Sequence, residues 1–227
     1  MGPGARIAAF YAPQFNDALF ADAAAWLGRD PESGALVPQP EIPGIAEITA
    51  EPRIYGFHAT LKPPMRLAPG RGWLDVVAAA AEVADRTVPF DLPPLAVSDV
   101  FGFLALRETV SCPALQSLAD ACVEYLDPLR APPTDAEIAR RRRADLTPRQ
   151  DAMLLRWGYP YVFDTWFFHM TLTRKLNTEE KRVYQPAAER HLARALAAPR
   201  SVTDICLFVQ PAPGEAFVIE QRLRLRG

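Results

Sequence analysis

With 227 residues, 49% of them hydrophobic and 23% charged, the chain has the composition of one ordinary globular unit with room for a substantial core. A formal net charge of −2 argues against long nucleic acid as a partner, since that grip needs a broadly basic surface, yet it leaves room for a local cationic pocket. No stretch approaches the ~20 apolar residues of a membrane helix, and Cys112, Cys122 and Cys206 lack C-x-x-C spacing, so a cytoplasmic protein without membrane partner, disulfide or zinc is expected.

Residues 7–11 read as a short apolar strand and residues 14–27 as a helix closed by Gly28. Residues 30–52, with Pro31, Pro38, Pro40, Pro43 and Pro52, read as a long irregular surface connection. Next comes Phe57-His58-Ala59-Thr60-Leu61, an apolar strand that Pro63 and Pro64 end, followed by an Ala-rich helix over Trp73–Asp85 and the strand Val97-Ser98-Asp99-Val100. Residues 101–106 predict another strand and Pro113–Leu126 another helix. Between residues 130 and 161 sits an insertion of two helices, the first opened by a Thr134/Glu137 capping box and the second by Thr147 with Pro148. Beside a cleft, such an insertion is a candidate lid. Phe168-His169-Met170-Thr171-Leu172 then forms a second strand, with a helix over 186–198 and the string Val202-Thr203-Asp204-Ile205 after it.

The order strand, helix, His strand, helix, Val-[Ser/Thr]-Asp-[Val/Ile] strand thus occurs twice. It predicts one α+β domain over 1–227 whose halves, about 1–100 and 101–227, are related by pseudo-twofold symmetry. The two near-copies hold two of the chain's 3 histidines. On a strand, residues two apart share a face, so His58 joins Thr60 and His169 joins Thr171, one imidazole and one hydroxyl from each half. Two imidazoles facing a substrate divide the labour of base and acid, and hydroxyls donate to anionic oxygens. A phosphodiester requires that set: a base for the attacking oxygen, an acid for the departing one, and donors for the nonbridging oxygens.

The paired H-x-[ST]-hydrophobic strings resemble those of the two-histidine (2H) phosphoesterases. Tyr55-Gly56-Phe57-His58-Ala59-Thr60-Leu61-Lys62, Leu146-Thr147-Pro148-Arg149-Gln150, Arg156-Trp157-Gly158-Tyr159-Pro160-Tyr161-Val162-Phe163, Phe168-His169-Met170-Thr171-Leu172-Thr173 and Phe208-Val209-Gln210-Pro211-Ala212-Pro213-Gly214 are similar to the bacterial phosphonate metabolism protein branch of that superfamily. The resemblance implies two lobes, each an antiparallel sheet with helices on its outer side, around a central cleft. It implies metal-independent opening of the cyclic phosphate of a small phosphorylated sugar, without a cofactor, with His58 and His169 as acid and base. Thr60 and Thr171 would hold the phosphate. The same resemblance permits action on an RNA 2′,3′-cyclic phosphate end, and a protein that binds a phosphometabolite without turnover is the reading from another class.

Other residues have two readings each. Lys62, four after His58, keeps strand parity and either reaches the cleft to hold phosphate or ends the strand in solvent. Thr173 takes the equivalent place in the second half, with Arg174 and Lys175 following as compensating cations. Tyr55, Tyr159 and Tyr161 flank the motifs, either against a sugar or base or as rim packing. The run of Arg140, Arg141, Arg142 and Arg143 reads as a solvated helix face paired with Asp135, Glu137 and Asp145. His191 reads as a helix-face residue without a catalytic role. No G-x-x-x-x-G-K-[ST] or G-x-G-x-x-G loop and no G-x-S-x-G elbow occurs, so the cradles for nucleotide triphosphates and dinucleotides are missing.

Overall fold

Alternation along the first strand sets the architecture. In the computed structural model, which describes residues 2 and 4–227, β1 (Arg6–Tyr11) turns Ile7, Ala9 and Tyr11 to one face and Ala8 and Phe10 to the other, and all five are buried. A strand buried on both faces belongs inside a sheet. The chain continues through α1 (Ala18–Leu27), α2 (Ile45–Ile48), α3 (Ala50–Tyr55), β2 (Ala59–Met65), α4 (Trp73–Asp85), β3 (Phe90–Leu92), β4 (Leu95–Val100) and β5 (Phe103–Glu108). It then forms α5 (Pro113–Leu126), α6 (Asp135–Arg142), α7 (Pro148–Trp157), β6 (Met170–Lys175), α8 (Thr178–Leu196), β7 (Arg200–Val202), β8 (Asp204–Gln210) and β9 (Val218–Arg224).

Seven strands make one antiparallel sheet in the order β4-β5-β6-β2-β1-β8-β9, with β3 and β7 paired apart from it. One lobe is β6-β5-β4 and the other β2-β1-β8-β9, so each contains its own His strand and entry strand together with the Val-[Ser/Thr]-Asp strand of the opposite half. The halves of the sequence therefore interlock by exchanging a strand. Between β2 and β6 the lobes meet at a single residue pair, Ala59 opposite Met170. Helices α1, α4, α5 and α8 cover the face carrying Ile7, Ala9 and Tyr11. Among the described residues, no helix is long and apolar enough to cross a membrane.

Three local readings change. Strand β2 runs through Pro63 and Pro64 to Met65 and does not end at them. The connection over 30–52 holds α2 and α3 rather than irregular chain alone. Helix α8 starts well before Pro186, because Asn177 and Glu180 cap it reciprocally with bonds of 2.9 and 2.8 Å, so the proline lies inside the helix. Its missing N–H costs one backbone bond, and the buried Ala187, Ala188, Leu192 and Ala195 hold that stretch against the core.

A bulge in β2 decides the fate of Lys62. Ala9 pairs with Lys62 and Phe10 with Thr60, leaving Leu61 as an extra residue. Cross-strand partners share a face, so Lys62 falls with Ala9 on the helix side and not with Thr60 in the cleft. The expected parity with His58 is thereby broken. Fully buried, Lys62 donates from Nζ to Asp127 Oδ1 at 2.8 Å and to the Val123 carbonyl at 3.3 Å. Burial pushes its ammonium down to about 8 despite the bond it donates to Asp127, which still leaves it charged at neutral pH. Burial tends to raise Asp127, but hydrogen bonds from Arg130 and Lys62 hold its carboxyl below the usual range.

Asp127→Ala would strand a buried cation and is expected to cost about 3–5 kcal/mol in urea denaturation. Lys62→Met, which leaves Asp127 to Arg130, is expected to fold with nearly unchanged stability and turnover. A well-folded K62M that lost phosphate affinity would return Lys62 to the binding site.

Candidate active site

The single contact between the lobes fixes four side chains. Ala59 and Met170 both point into the helix-side core, so the residues on either side of each point the other way: His58 and Thr60 from the first half, His169 and Thr171 from the second. Antiparallel register sets His58 opposite Thr171 and Thr60 opposite His169. The two histidines are then diagonal neighbours on the cleft face. Beyond this point the strands part, and the indole N–H of Trp166 donates to the Thr60 carbonyl at 2.8 Å where a neighbouring strand would otherwise bond.

Both rings are anchored the same way. His58 Nδ1 lies 2.8 Å from the carbonyl of Gly56 and His169 Nδ1 lies 3.1 Å from the carbonyl of Phe167, in each case two residues back. A carbonyl only accepts, so Nδ1 carries the hydrogen in both, and each neutral ring keeps a lone pair on Nε2. The Thr60 hydroxyl stands 3.4 Å from Nε2 of His58. His58 stacks on Phe10 at 3.8 Å and His169 on Phe167 at 4.7 Å.

The Gly56 anchor depends on its backbone, with φ of 76° and a Cβ that would come within 2.8 Å of Pro31 Cβ. Buried Arg29 secures the approach by donating to the carbonyls of Arg53 and Ile54 in α3 and of Phe217.

Desolvation dominates the electrostatics. Burial pushes His58 down to about 4, opposed by the Gly56 carbonyl and aided by the nearby His169. His169 is lowered by burial as well, opposed by the Phe167 carbonyl and aided by the positive charge of Arg107. At neutral pH the resting site therefore holds two neutral imidazoles.

Tyr55 lies 6.1 Å from His58 and stacks on Phe217. With His58, Phe103, Thr171 and Arg174 it lines a cavity of about 310 Å³. Tyr159 sits one ring further out, 5.5 Å from Tyr161, which stands 5.9 Å from Phe167. Arg174 reaches the cavity with its charge already taken by Glu180 at 2.9 Å and Glu47 at 2.6 Å. Thr173 is buried and accepts the Leu104 N–H. His191 donates from Nε2 to the Asp22 carbonyl, tying α8 to α1. The arginine run does not form the expected pairs: Arg142 binds Asp151, Glu137 binds Arg66, and Arg141 lies 4.6 Å over the ring of Tyr159. Among the described residues no three His, Cys, Asp or Glu side chains converge as a metal set.

Arg107 is the functional candidate that motif reading misses. On β5, Ala105 pairs with Thr171, so Arg107, two residues on, shares the cleft face. Its guanidinium lies 5.4 Å from the Phe167 ring that stacks on His169, and its buried Nε has no hydrogen-bond partner. Only the strand pairing reveals it, because nothing in the surrounding sequence repeats.

The depressed histidines carry a pH signature. An unfolded histidine titrates near 6.5, whereas His58 titrates at about 4 when folded. Between these values the unfolded chain binds more protons, so stability is complete above about pH 6.5 and declines as pH falls toward 4. The urea midpoint should drop across that window, less steeply in His58→Gln, and nitrogen NMR at pH 7 should report Nδ1–H tautomers for His58 and His169. Parallel declines in both proteins would show that His58 is not depressed.

The family described as "Protein of unknown function (DUF1045)" matches residues 60–218. A protein of Janthinobacterium sp. (strain Marseille) named ribose 1,5-bisphosphate phosphokinase PhnN is 40% identical over 232 residues, covering 98% of this chain and 51% of its own length. Its namesake from Laribacter hongkongensis (strain HLHK9) is 35% identical over 214 residues, covering 93% of this chain and 50% of its own. The chain thus spans about half the length of these curated relatives. The crystal structure of E. coli LigT complexed with NADP+ aligns over the whole of both chains with a TM-score of 0.47 and 13% identity. By the extent of the family match, the chain belongs to the DUF1045 family.

Proposed function

We propose that the protein is a phosphodiesterase that opens the cyclic phosphate of a small phosphorylated sugar, as a step in phosphonate breakdown, with His58 and His169 as its general acid and base. The observation that carries this reading is the matched pair of rings, each fixed by an Nδ1–H bond to the carbonyl two residues back, with the two Nε2 atoms left for chemistry. A structural histidine buried in a core has no need of a duplicate in twofold-related register.

The steps follow from the protonation states. An anionic phosphate between the rings favours protonation of one of them, offsetting the desolvation that keeps both neutral at rest. The neutral imidazole takes a proton from water at Nε2 while the water oxygen bonds to phosphorus. The phosphorus bond to one ring oxygen breaks, and the protonated imidazole gives its Nε2 proton to that oxygen. The product is a phosphomonoester. Thr60 and Thr171 hold the nonbridging oxygens, and Arg107 adds positive charge beside His169.

The substrate class draws support from the curated relatives, whose name denotes a kinase of a pentose with two phosphates. This chain has no G-x-x-x-x-G-K-[ST] loop to hold a nucleotide triphosphate. We read the shared element as the phosphorylated sugar and not as phosphoryl transfer from a nucleotide.

Incubation with a panel of sugar and nucleotide cyclic phosphates in the presence of a chelator should yield monoesters. His58→Ala and His169→Ala should each lower turnover by about 10²- to 10⁴-fold, and the double variant by far less than the product of the two, because the pair acts as a unit. His191→Ala should change turnover little. Near-normal activity in either of the first two variants would remove the acid and base assignment.

A further inference from the structure

A concentration of positive charge lies outside the histidine pair. A cavity of about 50 Å³ is lined by Arg6, Arg66, Arg130, Arg140 and Arg141, with Glu137 as its acidic member. Two of the five arginines are spoken for: Arg66 binds Glu137 and Arg130 binds Asp127. Glu137 is itself held down to about 2 by hydrogen bonds from Thr134 and Arg66, against the effect of burial. Arg6 has only the neutral Gln210 amide at 2.7 Å, and among the described residues no carboxylate pairs with Arg6, Arg140 or Arg141. Three arginines without a carboxylate partner thus line one small space, whose carboxylate Glu137 is paired with Arg66.

Position connects this cavity to the cleft. Pro63 and Pro64 of β2 line it, three and four residues beyond Thr60, a distance of about 10 Å along a strand. Chains of ring contacts lead from two of the arginines back to the histidines. On one side Arg6 lies 5.4 Å over Phe217, which stacks on Tyr55 beside His58. On the other, Arg141 lies over Tyr159, followed by Tyr161, Phe167 and His169. Guanidinium groups bind phosphate through paired N–H donors, and several around one cavity suit a dianionic monoester better than a carboxylate.

We propose that the arginine cavity binds a second phosphate of the substrate, so that the enzyme acts on small cyclic phosphates that also carry a terminal phosphomonoester one sugar away. This inference rests on the phosphodiesterase reading for its substrate, and its own content is the anion site formed by Arg6, Arg140 and Arg141. The insertion then serves recognition: α6 carries Arg140 and Arg141 to the end of the cleft.

The test compares a sugar cyclic phosphate with and without a phosphate on its primary hydroxyl. Arg140 is exposed and α6 buries no residue, so Arg140→Ala/Arg141→Ala should fold normally, as circular dichroism can verify. In that variant kcat/KM for the bisphosphorylated probe should fall about 10- to 100-fold per arginine, while the monophosphorylated probe changes less than about 3-fold. Arg6→Gln should act in the same direction, and Arg141→Lys should recover part of the loss. Equal losses on both probes, or none on either, would overturn the subsite and leave the histidine assignment standing. Should the wild type turn over neither probe, the phosphodiesterase reading fails while the subsite is judged by calorimetry with inorganic phosphate in a His58→Ala/His169→Ala background. Binding there that disappears with Arg140→Ala/Arg141→Ala supports the subsite, and binding that persists, or none at all, refutes it.

Discussion

One backbone pairing, Ala59 opposite Met170, is the constraint on which the site depends. Because both residues are buried toward the helices, their neighbours are obliged to face the cleft, and because the pairing is antiparallel, each histidine faces the other half's threonine. A slip of one residue would send one His-x-Thr pair into the helix-side core. The exchanged strands guard against that slip. β4 from the first half completes the lobe of β6, and β8 from the second completes the lobe of β2, so neither lobe can shift without disturbing ladders on both sides.

The same burial that fixes the rings also sets their charge. Stacking on Phe10 and Phe167 strips water from the imidazoles, and each gains only one carbonyl hydrogen bond in return. The balance favours the neutral form in both, which leaves the pair one proton short of an acid and a base. An anion placed between the rings supplies the missing stabilisation, and in an apolar cleft its charge acts more strongly than it would in water. In the proposed reaction, desolvation makes the protonated state conditional on substrate. Arg107 sharpens the asymmetry by opposing protonation at His169 while attracting the same anion.

Much of this was legible in the sequence. The duplicated His-x-Thr strings located the pair, Gly28 and the Thr134 and Thr147 caps located helix ends that the structure shares, and the repeated element order implied an α+β fold of two related halves. What escaped depends on contacts that sequence order does not encode. The Lys62 parity argument assumed an unbroken strand, and a bulge at Leu61 reversed it. Pro186 looked like a helix start because proline favours that position, but the Asn177/Glu180 capping box outweighs one lost bond. Arg107 and the strand exchange emerge only once β5 lies beside β6.

Net charge is the other property that sequence averages away. The value of −2 for the whole chain coexists with Arg6 and, far from it in the sequence, Arg140 and Arg141, all of which lack carboxylate partners among the described residues. Holding them together opposes folding through mutual repulsion, and α6, which buries no residue, has little core packing to offset it. Its position rests on the Thr134/Glu137 capping box, the Arg66–Glu137 and Arg142–Asp151 pairs and the Arg141–Tyr159 stack. Exposed ion pairs of this kind contribute about 0–1 kcal/mol each. An element held so lightly over concentrated like charge gains most when an anion neutralises that charge, which couples the order of the insertion to occupancy of the cavity beneath it.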